Sequence, residues 1–438
     1  MVLIPGDEES EAAQDQVAVY AVLEGDVGVV IEPGTNGSWK MNPVPDRLKT
    51  ILWGRYPDRK LSFPKDPMDT AWRRRPPLPL QNVDPSKINL VYTGTDLPLL
   101  LRRRGQLQGG DWDTQVSPEP FVESRLYRAL EARFKNGTDW SSIPEADAAA
   151  AGHEDATVAL AAVDQLYESI KSGGYRPQRD LGGSEQDEIL AALGREGRYV
   201  LLSGAKRLAI SRLLGLNSVP VNVIARHPRW EASRQRIVAY AARHEGRVYQ
   251  RVLHPDLVDL QAHHDEDRLP IIKRALAGYD PLNKKLVDIG AHWGQMSAAM
   301  ENLGFDVTAV EANAQSAKFT RTLRTAMEYR FEVWEGSIFE FPQIGDQNVV
   351  LALNIFHHFL KAQETYDGLV STLQRLNADI LIFAAHVYER RGPDFVNAYR
   401  NYPPEEFAKF VSEHSRLPKI ELMGKSHDGR SLYKLSRD

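Results

Sequence analysis

Several side chains able to do chemistry stand at the ends of apolar runs near the C-terminal end of the chain. In KKLVDIGAHWG the apolar residues Leu286, Val287 and Ile289 surround Asp288 and lead into Gly290 and Gly294. The next apolar run, FDVTAVEAN, ends in Glu311; YRFEVWEGS ends at Gly336-Ser337, with Ile338 beyond; QNVVLALN ends at Asn354, and His357-His358 follow. Glycines let the backbone turn sharply and approach a ligand closely. The helix predicted behind them, SAAMENLG, offers free N–H groups at its start. An acid at the tip of a second strand can accept hydrogen bonds from ribose hydroxyls. A histidine titrates near neutrality and can take a proton from a hydroxyl. Neighbouring histidines on a helix point in different directions, so at most one of the pair faces a cleft. A structural or substrate-orienting role, a catalytic base and a metal ligand all remain open for it. His386 and Tyr388, in the last four residues of ILIFAAHVYE, are further candidates for substrate contact.

A second concentration lies mid-chain. In LLSGAKRLAISRLLGL, Gly204 permits close backbone approach, a helix begins there, and Lys206 and Arg207 can bind phosphate, the arginine bidentately. The cluster HPDLVDLQAHHDEDR brings together His254, Asp256, His263, His264, Asp265 and Asp267, either a solvated acidic loop or a divalent-metal site. No metal is expected for the chain as a whole. The basic runs WRRRPPL (72–78) and LLLRRRG (99–105) are either solvated arms or an anion-binding surface.

These residues need elements to hold them. Up to about residue 90, many prolines separate short apolar runs, which predicts irregular structure with short strands such as VAVYAVL and GVVIEP. Helices are predicted within 117–171 and near 230–243; EILAALGREGRYVLLSG reads as strand, glycine turn, strand, and SVPVNVIAR as a strand. After Pro281 the pattern becomes regular βα alternation. The expected organisation is an irregular extension (1–115), an α+β domain (116–275) and an α/β domain (280–438).

Composition narrows the function. The chain has 438 residues, 42% hydrophobic and 26% charged, with a net charge of −5. Two or three globular domains follow, and nothing global attracts nucleic acid. The absence of cysteine removes disulfides, thiolate nucleophiles and cysteine-ligated metals. No run reaches the ~18 apolar residues that span a bilayer. The opening MVLIPGDEESEAAQDQ lacks the basic start of a signal peptide, so a cytoplasmic location is expected.

The 280–438 pattern resembles the class I S-adenosylmethionine (SAM)-dependent methyltransferases. Its glycine motif is D-x-G-x-x-x-G, distinct from the dinucleotide fingerprint. The resemblance implies a Rossmann-like sheet and SAM as cofactor. It puts Asp288, Gly290 and Gly294 beside the methionine and ribose moieties, and Glu311 on the ribose. It puts Ser337 and Ile338 near the adenine, and Asn354, with His357 and His358, in the transfer pocket. Residues 155–230 are similar to the ParB/sulfiredoxin-like fold. The matching residues are Leu166, Ser169, Ile170 and Gly174, the segment Ser203–Ala209, and Gly215 with Val219-Pro220-Val221. That likeness implies a phosphate or nucleotide site at Gly204, Lys206 and Arg207, with ATP as one candidate ligand. Ser203 and Lys206 stand where that fold usually has Asp and His, which puts phosphoryl transfer in doubt. The pairing of the two modules is similar to bacterial two-domain proteins. The expectation is methyl transfer to an oxygen of a sugar, phosphate, glycan or small metabolite. A bifunctional kinase-methyltransferase and a non-catalytic nucleotide- and SAM-sensing protein are the alternatives. The oligomeric state is not readable.

Overall fold

The computed structural model describes residues 80–95, 106–264, 268–387 and 398–437, with four short strands nearer the N-terminus described as backbone. The basic runs 72–78 and 99–105, most of the opening sixteen residues, Asp265, Asp267 and Tyr388 lie outside the described residues. The chain forms two compact units, 1–246 with 254–259, and 247–253 with 260–438. No helix among the described residues is long and apolar enough to cross a membrane.

In the first unit, β1 (Leu3–Ile4), β2 (Val19–Leu23), β3 (Asp26–Pro33) and β4 (Trp39–Met41) pair in chain order as an antiparallel sheet. A six-stranded mixed sheet follows. It contains β5 (Gln81–Val83), β6 (Leu90–Val91), β7 (Gln106–Leu107), β8 (Ile189–Leu193), β9 (Tyr199–Ser203) and β10 (Val219–Arg226). The order is β5-β10-β8-β9-β6, with β7 also on β10. Strands β5 to β7 come from residues read from sequence as an irregular extension. Each has two or three residues, too few to show an alternation. The helices are α1 (Arg125–Phe134), α2 (Ala146–Ala150), α3 (Ala156–Gly173), α4 (Ala205–Leu213) and α5 (Pro228–Ala242). Side-chain caps start three of them: Ser124 accepts from the Tyr127 amide, Asp155 from the amides of Thr157 and Val158, and His227 from the Arg229 amide.

The second unit opens with a two-stranded parallel ribbon, β11 (Arg247–Gln250) and β12 (Gln261–His264), and α6 (Arg268–Ala275). Strand–helix alternation then runs β13 (Lys285–Ile289), α7 (Gln295–Glu301), β14 (Asp306–Glu311), α8 (Ala314–Ala326) and β15 (Glu332–Glu335). It continues with β16 (Val349–Ala352), α9 (Gln363–Arg375), β17 (Ile380–Ala384), α10 (Pro404–Ser415), β18 (Lys419–Lys425) and β19 (Ser431–Ser436). The sheet order is β15-β14-β13-β16-β17-β19-β18; the first five are parallel and β19 is antiparallel to both neighbours. Both faces are covered, which is why these strands read as unbroken apolar runs. Val287, Val350, Leu381 and Phe383 enter one core, whereas Leu286, Val349, Leu351 and Ile382 enter the other. Strand order reverses between β13 and β16, and in such sheets the ligand crevice opens at that switch, beyond the carboxyl ends of the strands.

Candidate active site

The switch point collects most of the residues singled out in the C-terminal unit. Asp288, in β13, is buried, and its Oδ2 accepts from Ser297 Oγ of α7 at 2.7 Å. Gly290 opens the turn against Ile355, which follows β16. Gly294 ends the turn in the left-handed region (φ +79°), and a Cβ there would come within 2.9 Å of Phe331. Glycine is therefore required twice over at this position. The turn amides are spoken for: Gly290 N and Ala291 N both donate to Val310 O, at 2.9 and 3.1 Å.

Glu311, at the tip of β14, leans over the turn. Its Oε2 accepts from His292 N and its Oε1 from Asn313 N, each at 2.8 Å. Burial pushes its carboxyl above the usual range, partly offset by these amide bonds. Across the crevice Asn354 has φ +60°, and His292 has φ +52°. Left-handed backbone outside glycine costs energy and clusters at functional sites. Tyr249, from β11, ties the two together: its hydroxyl accepts from Asn354 Nδ2 at 3.2 Å, and its ring lies 5.3 Å from that of His292. Asn354 Oδ1 and His292 Nδ1 are buried with no hydrogen-bond partner. Burial lowers the His292 pKa to about 4, so its ring is neutral at neutral pH. Such unanswered polar atoms are uncommon in folded proteins and ask for a partner.

Ser337 accepts from the Phe339 amide at 3.3 Å and starts a short 3₁₀ turn; Ile338 is buried in the core. Trp334 Nε1, beside Gly336, is buried and unpartnered. His357 and His358 lie in a 3₁₀ segment, Phe356–Leu360, one buried and the other exposed, with ring centroids 4.1 Å apart. The pair thus diverges in exposure, as adjacent positions should, while the rings still touch. Burial, with the positive groups of His358, Arg430, His386 and Lys361 nearby, lowers the His357 pKa to about 2. His386 follows β17, its ring 5.9 Å from that of His357, and its Nε2 pairs with Asn401 Oδ1 at 2.8 Å.

In the first unit, Gly204 (φ +88°) sits so close to β8 that a Cβ would come within 2.9 Å of Ile189 Cα. Close approach there is to the protein's own strand. Arg207 donates from Nη1 to Gln178 Oε1 at 3.2 Å and from Nη2 to the Asp187 carbonyl, which leaves its buried Nε without a partner. Burial lowers the pKa of Lys206, at the start of α4.

Among the described residues, no three histidines or acids come together as a metal-holding group. His263 and His264 are on β12 of the second unit, whereas His254 and Asp256 are sealed in the first. Asp256 accepts from Gln81 Nε2 (2.7 Å), Trp230 Nε1 (2.8 Å) and the Arg226 guanidinium, whose Nε is 3.0 Å from both carboxylate oxygens. His254 donates from Nε2 to Gly197 O at 2.9 Å and takes the Asp256 amide on Nδ1 at 3.0 Å. Both imidazole nitrogens and both carboxylate oxygens are used inside the fold, so neither side chain has a lone pair left for a metal. Asp113 is likewise clasped by the Arg195 guanidinium and amide.

Sequence reasoning passed over Tyr249, His292, Asn401 and Arg430. Only His292 stood within a motif, D-x-G-x-H-x-G. The other three come from a remote ribbon, a loop and a hairpin, with no local pattern to mark them.

The fold and its edge define an open doubly wound α/β unit with a ligand crevice at the switch point. No protein-family profile and no curated protein matches the chain. Among solved structures it is similar to the bifunctional kinase-methyltransferase WbdD, with 20% identity over 46% of each chain and a TM-score of 0.37. The chain therefore spans under half the length of that protein. It is also similar to the methyltransferase domain of bacterial-CtHen1-CN (12% identity, 39% of this chain and 97% of that one, TM-score 0.31). A third likeness is to magnesium protoporphyrin IX methyltransferase from Synechocystis PCC 6803 with bound SAM (10% identity, 39% and 77%, TM-score 0.31).

Proposed function

We propose that the second unit is a SAM-dependent methyltransferase. The observation that carries this reading is how the glycine turn spends its amides. Residues 290 to 292 donate to Val310 O and Glu311, so the turn itself keeps none of these three amides for a diphosphate. A dinucleotide would have only the start of α7 to hold it. A nucleoside without phosphates fits. The Glu311 carboxylate is placed for ribose hydroxyls, and the Trp334 indole N–H and Ser337 lie at the adenine end. Asp288 braces the turn through Ser297 beneath the methionine moiety. Asn354 Oδ1 and His292 Nδ1 supply unanswered polar atoms where the reacting end would lie.

When bound, SAM supplies an electrophilic methyl group on a sulfonium that leaves as a neutral thioether. The chain's part is to align an acceptor oxygen with that methyl and to exclude water. His357, with its pKa lowered to about 2, is too weak a base to deprotonate a hydroxyl at neutral pH. It orients the acceptor as a neutral hydrogen-bonding ring, and His358 at the rim contacts the acceptor from outside. The acceptor class on this reading is an oxygen of a sugar, phosphate, glycan or small metabolite, and the protein works in the cytoplasm without nucleic acid.

A phosphate ligand in the first unit, held at Gly204 and Lys206 in a ParB/sulfiredoxin-like domain, is the second reading. It is favoured by the N-terminus of α4, which no side chain caps, with the Lys206 ammonium beside it. Arg207, engaged by Gln178 and Asp187, offers little further to a transferring phosphoryl group, so this is binding of ATP or another nucleotide without transfer. The bifunctional kinase alternative requires ATP turnover that Arg207→Ala abolishes. The sensor alternative requires SAM binding with no turnover on any acceptor.

Calorimetric titration of SAM into the wild type and Glu311→Gln tests the main reading. The expected result is micromolar binding that weakens by about ten- to a hundredfold in the variant, the worth of charge-assisted hydrogen bonds. Absence of binding to the folded wild type would sink it.

A further inference from the structure

The carboxyl edge carries a second group of residues, to one side of the cofactor crevice. Strands β17 and β19 run antiparallel, and Ala385 N donates to Ser431 O at 2.9 Å. The next residue outward, beyond the end of β17, is His386, and the residue just before Ser431 is Arg430. Both therefore project from the same end of the sheet. The hairpin that carries Arg430 also packs here, a Cβ at Gly429 lying 3.7 Å from Val387. Beyond β16 come His357, its ring 5.9 Å from His386, then His358 and Lys361.

Arg430 is only half answered. Its Nε meets Asp428 Oδ2 at 2.8 Å, whereas Nη1 is buried with no hydrogen-bond partner. A buried guanidinium N–H without an acceptor is costly, and nothing apolar can satisfy it. Among the described residues, Arg430 and Lys361 stand here beside three imidazoles, and Asp428 pairs with Arg430. Burial is the largest cause of the lowered pKa values of His357 and His386, and Arg430 lowers both further.

We propose that Arg430, His386 and His357, with His358 and Lys361 at the rim, form an oxyanion subsite that anchors an anionic group of the methyl acceptor, a phosphate ester or a carboxylate. Arg430 Nη1 donates to one anion oxygen and the neutral His357 ring donates its N–H to another, while His386, whose Nε2–H is given to Asn401 Oδ1, lines the subsite without donating. Asn401, bonded to His386 Nε2, fixes that ring's orientation and is a positioning residue. That the occupant is the methyl acceptor rests on the proposed methyltransferase function; the subsite itself does not.

The test uses the full chain with ring-¹⁵N histidine and no SAM, titrated separately with inorganic phosphate and with acetate. Saturable shifts of the His357 and His386 ring signals are expected. The anion that saturates at the lower concentration names the acceptor's group. Arg430→Gln should raise the half-saturating concentration about tenfold. Arg430→Lys should recover most of the loss, and Arg207→Ala should leave the shifts alone. Should Arg430→Gln not fold, Lys361→Gln should weaken the same shifts. The proposal is overturned if neither anion moves either ring, or if folded Arg430→Gln responds as the wild type does. Calorimetry with SAM on the same samples separates the two ideas. Anion shifts without SAM binding would leave the subsite and remove the methyltransferase, and the converse would remove the subsite alone.

Discussion

The knot of His254 and Asp256 and the strand-end edge of the seven-stranded sheet use the same residue types to opposite ends. In the knot, Asp256 meets Arg226, Trp230 and Gln81, and the Tyr199 hydroxyl closes the ring by donating to Gln81 Oε1 at 2.6 Å. His254 stacks on Tyr199 and lies tilted against Trp230, with centroids 5.4 and 4.5 Å away. At the edge, Asn354 Oδ1, His292 Nδ1, Trp334 Nε1 and Arg430 Nη1 are buried and unanswered. A histidine and an acid close together therefore say little by themselves. What separates a staple from a site is whether the donors and acceptors balance within the fold.

That contrast can be broken by mutation. The largest effect is expected for Asp256→Ala, which leaves the buried Arg226 guanidinium uncompensated. It should cost about 3–5 kcal/mol in urea unfolding of the first unit. SAM affinity of the second unit should stay unchanged, and a loss of both would dissolve the distinction. Gly294→Ala forces a Cβ against Phe331 at a left-handed position and should cost the second unit about 1–3 kcal/mol.

Acidity acts on both regions with one sign. His254 and His292 each titrate at about 4 when folded, against an ordinary 6.5, chiefly because burial disfavours the charged ring. Between those values the unfolded chain binds more protons, so stability is full above about pH 6.5 and is lost as the pH falls towards 4. A urea midpoint that stayed flat across that window would contradict the neutral, buried state of both rings. The smallest effect is at Ser297→Ala, which removes one hydrogen bond from Asp288. About 1 kcal/mol of stability should go, with SAM affinity altered by no more than a few-fold.

The seven-stranded unit was largely legible because its central strands are buried on both faces and β13 and β15 run into Gly290 and Gly336. Val287, Val350 and Leu381 announce themselves as continuous apolar runs, and Glu311 stands where the second run stops. Strands β5 to β7 were not legible, since two or three residues hold no period. The partners of the edge were hidden for a different reason. Tyr249 reaches Asn354 across 105 positions of sequence, and Arg430 approaches His386 only once β19 has paired with β17. His254 and Asp256 were visible as types, but their use as a structural staple depends on Gln81 and Arg226, and no local pattern links those to the cluster.

The path of the chain carries a consequence for anyone wishing to separate the two halves. It leaves the first unit at 246, returns for 254–259, and only then departs for good. A fragment begun at 280, where the regular alternation starts, would forfeit Tyr249 and the ribbon that presents it to Asn354. A fragment halted at 246 would forfeit His254 and Asp256 and expose the partners they hold. The two units thus alternate along the chain. Recombination that swapped either one cleanly would have to carry residues 247–264 in pieces.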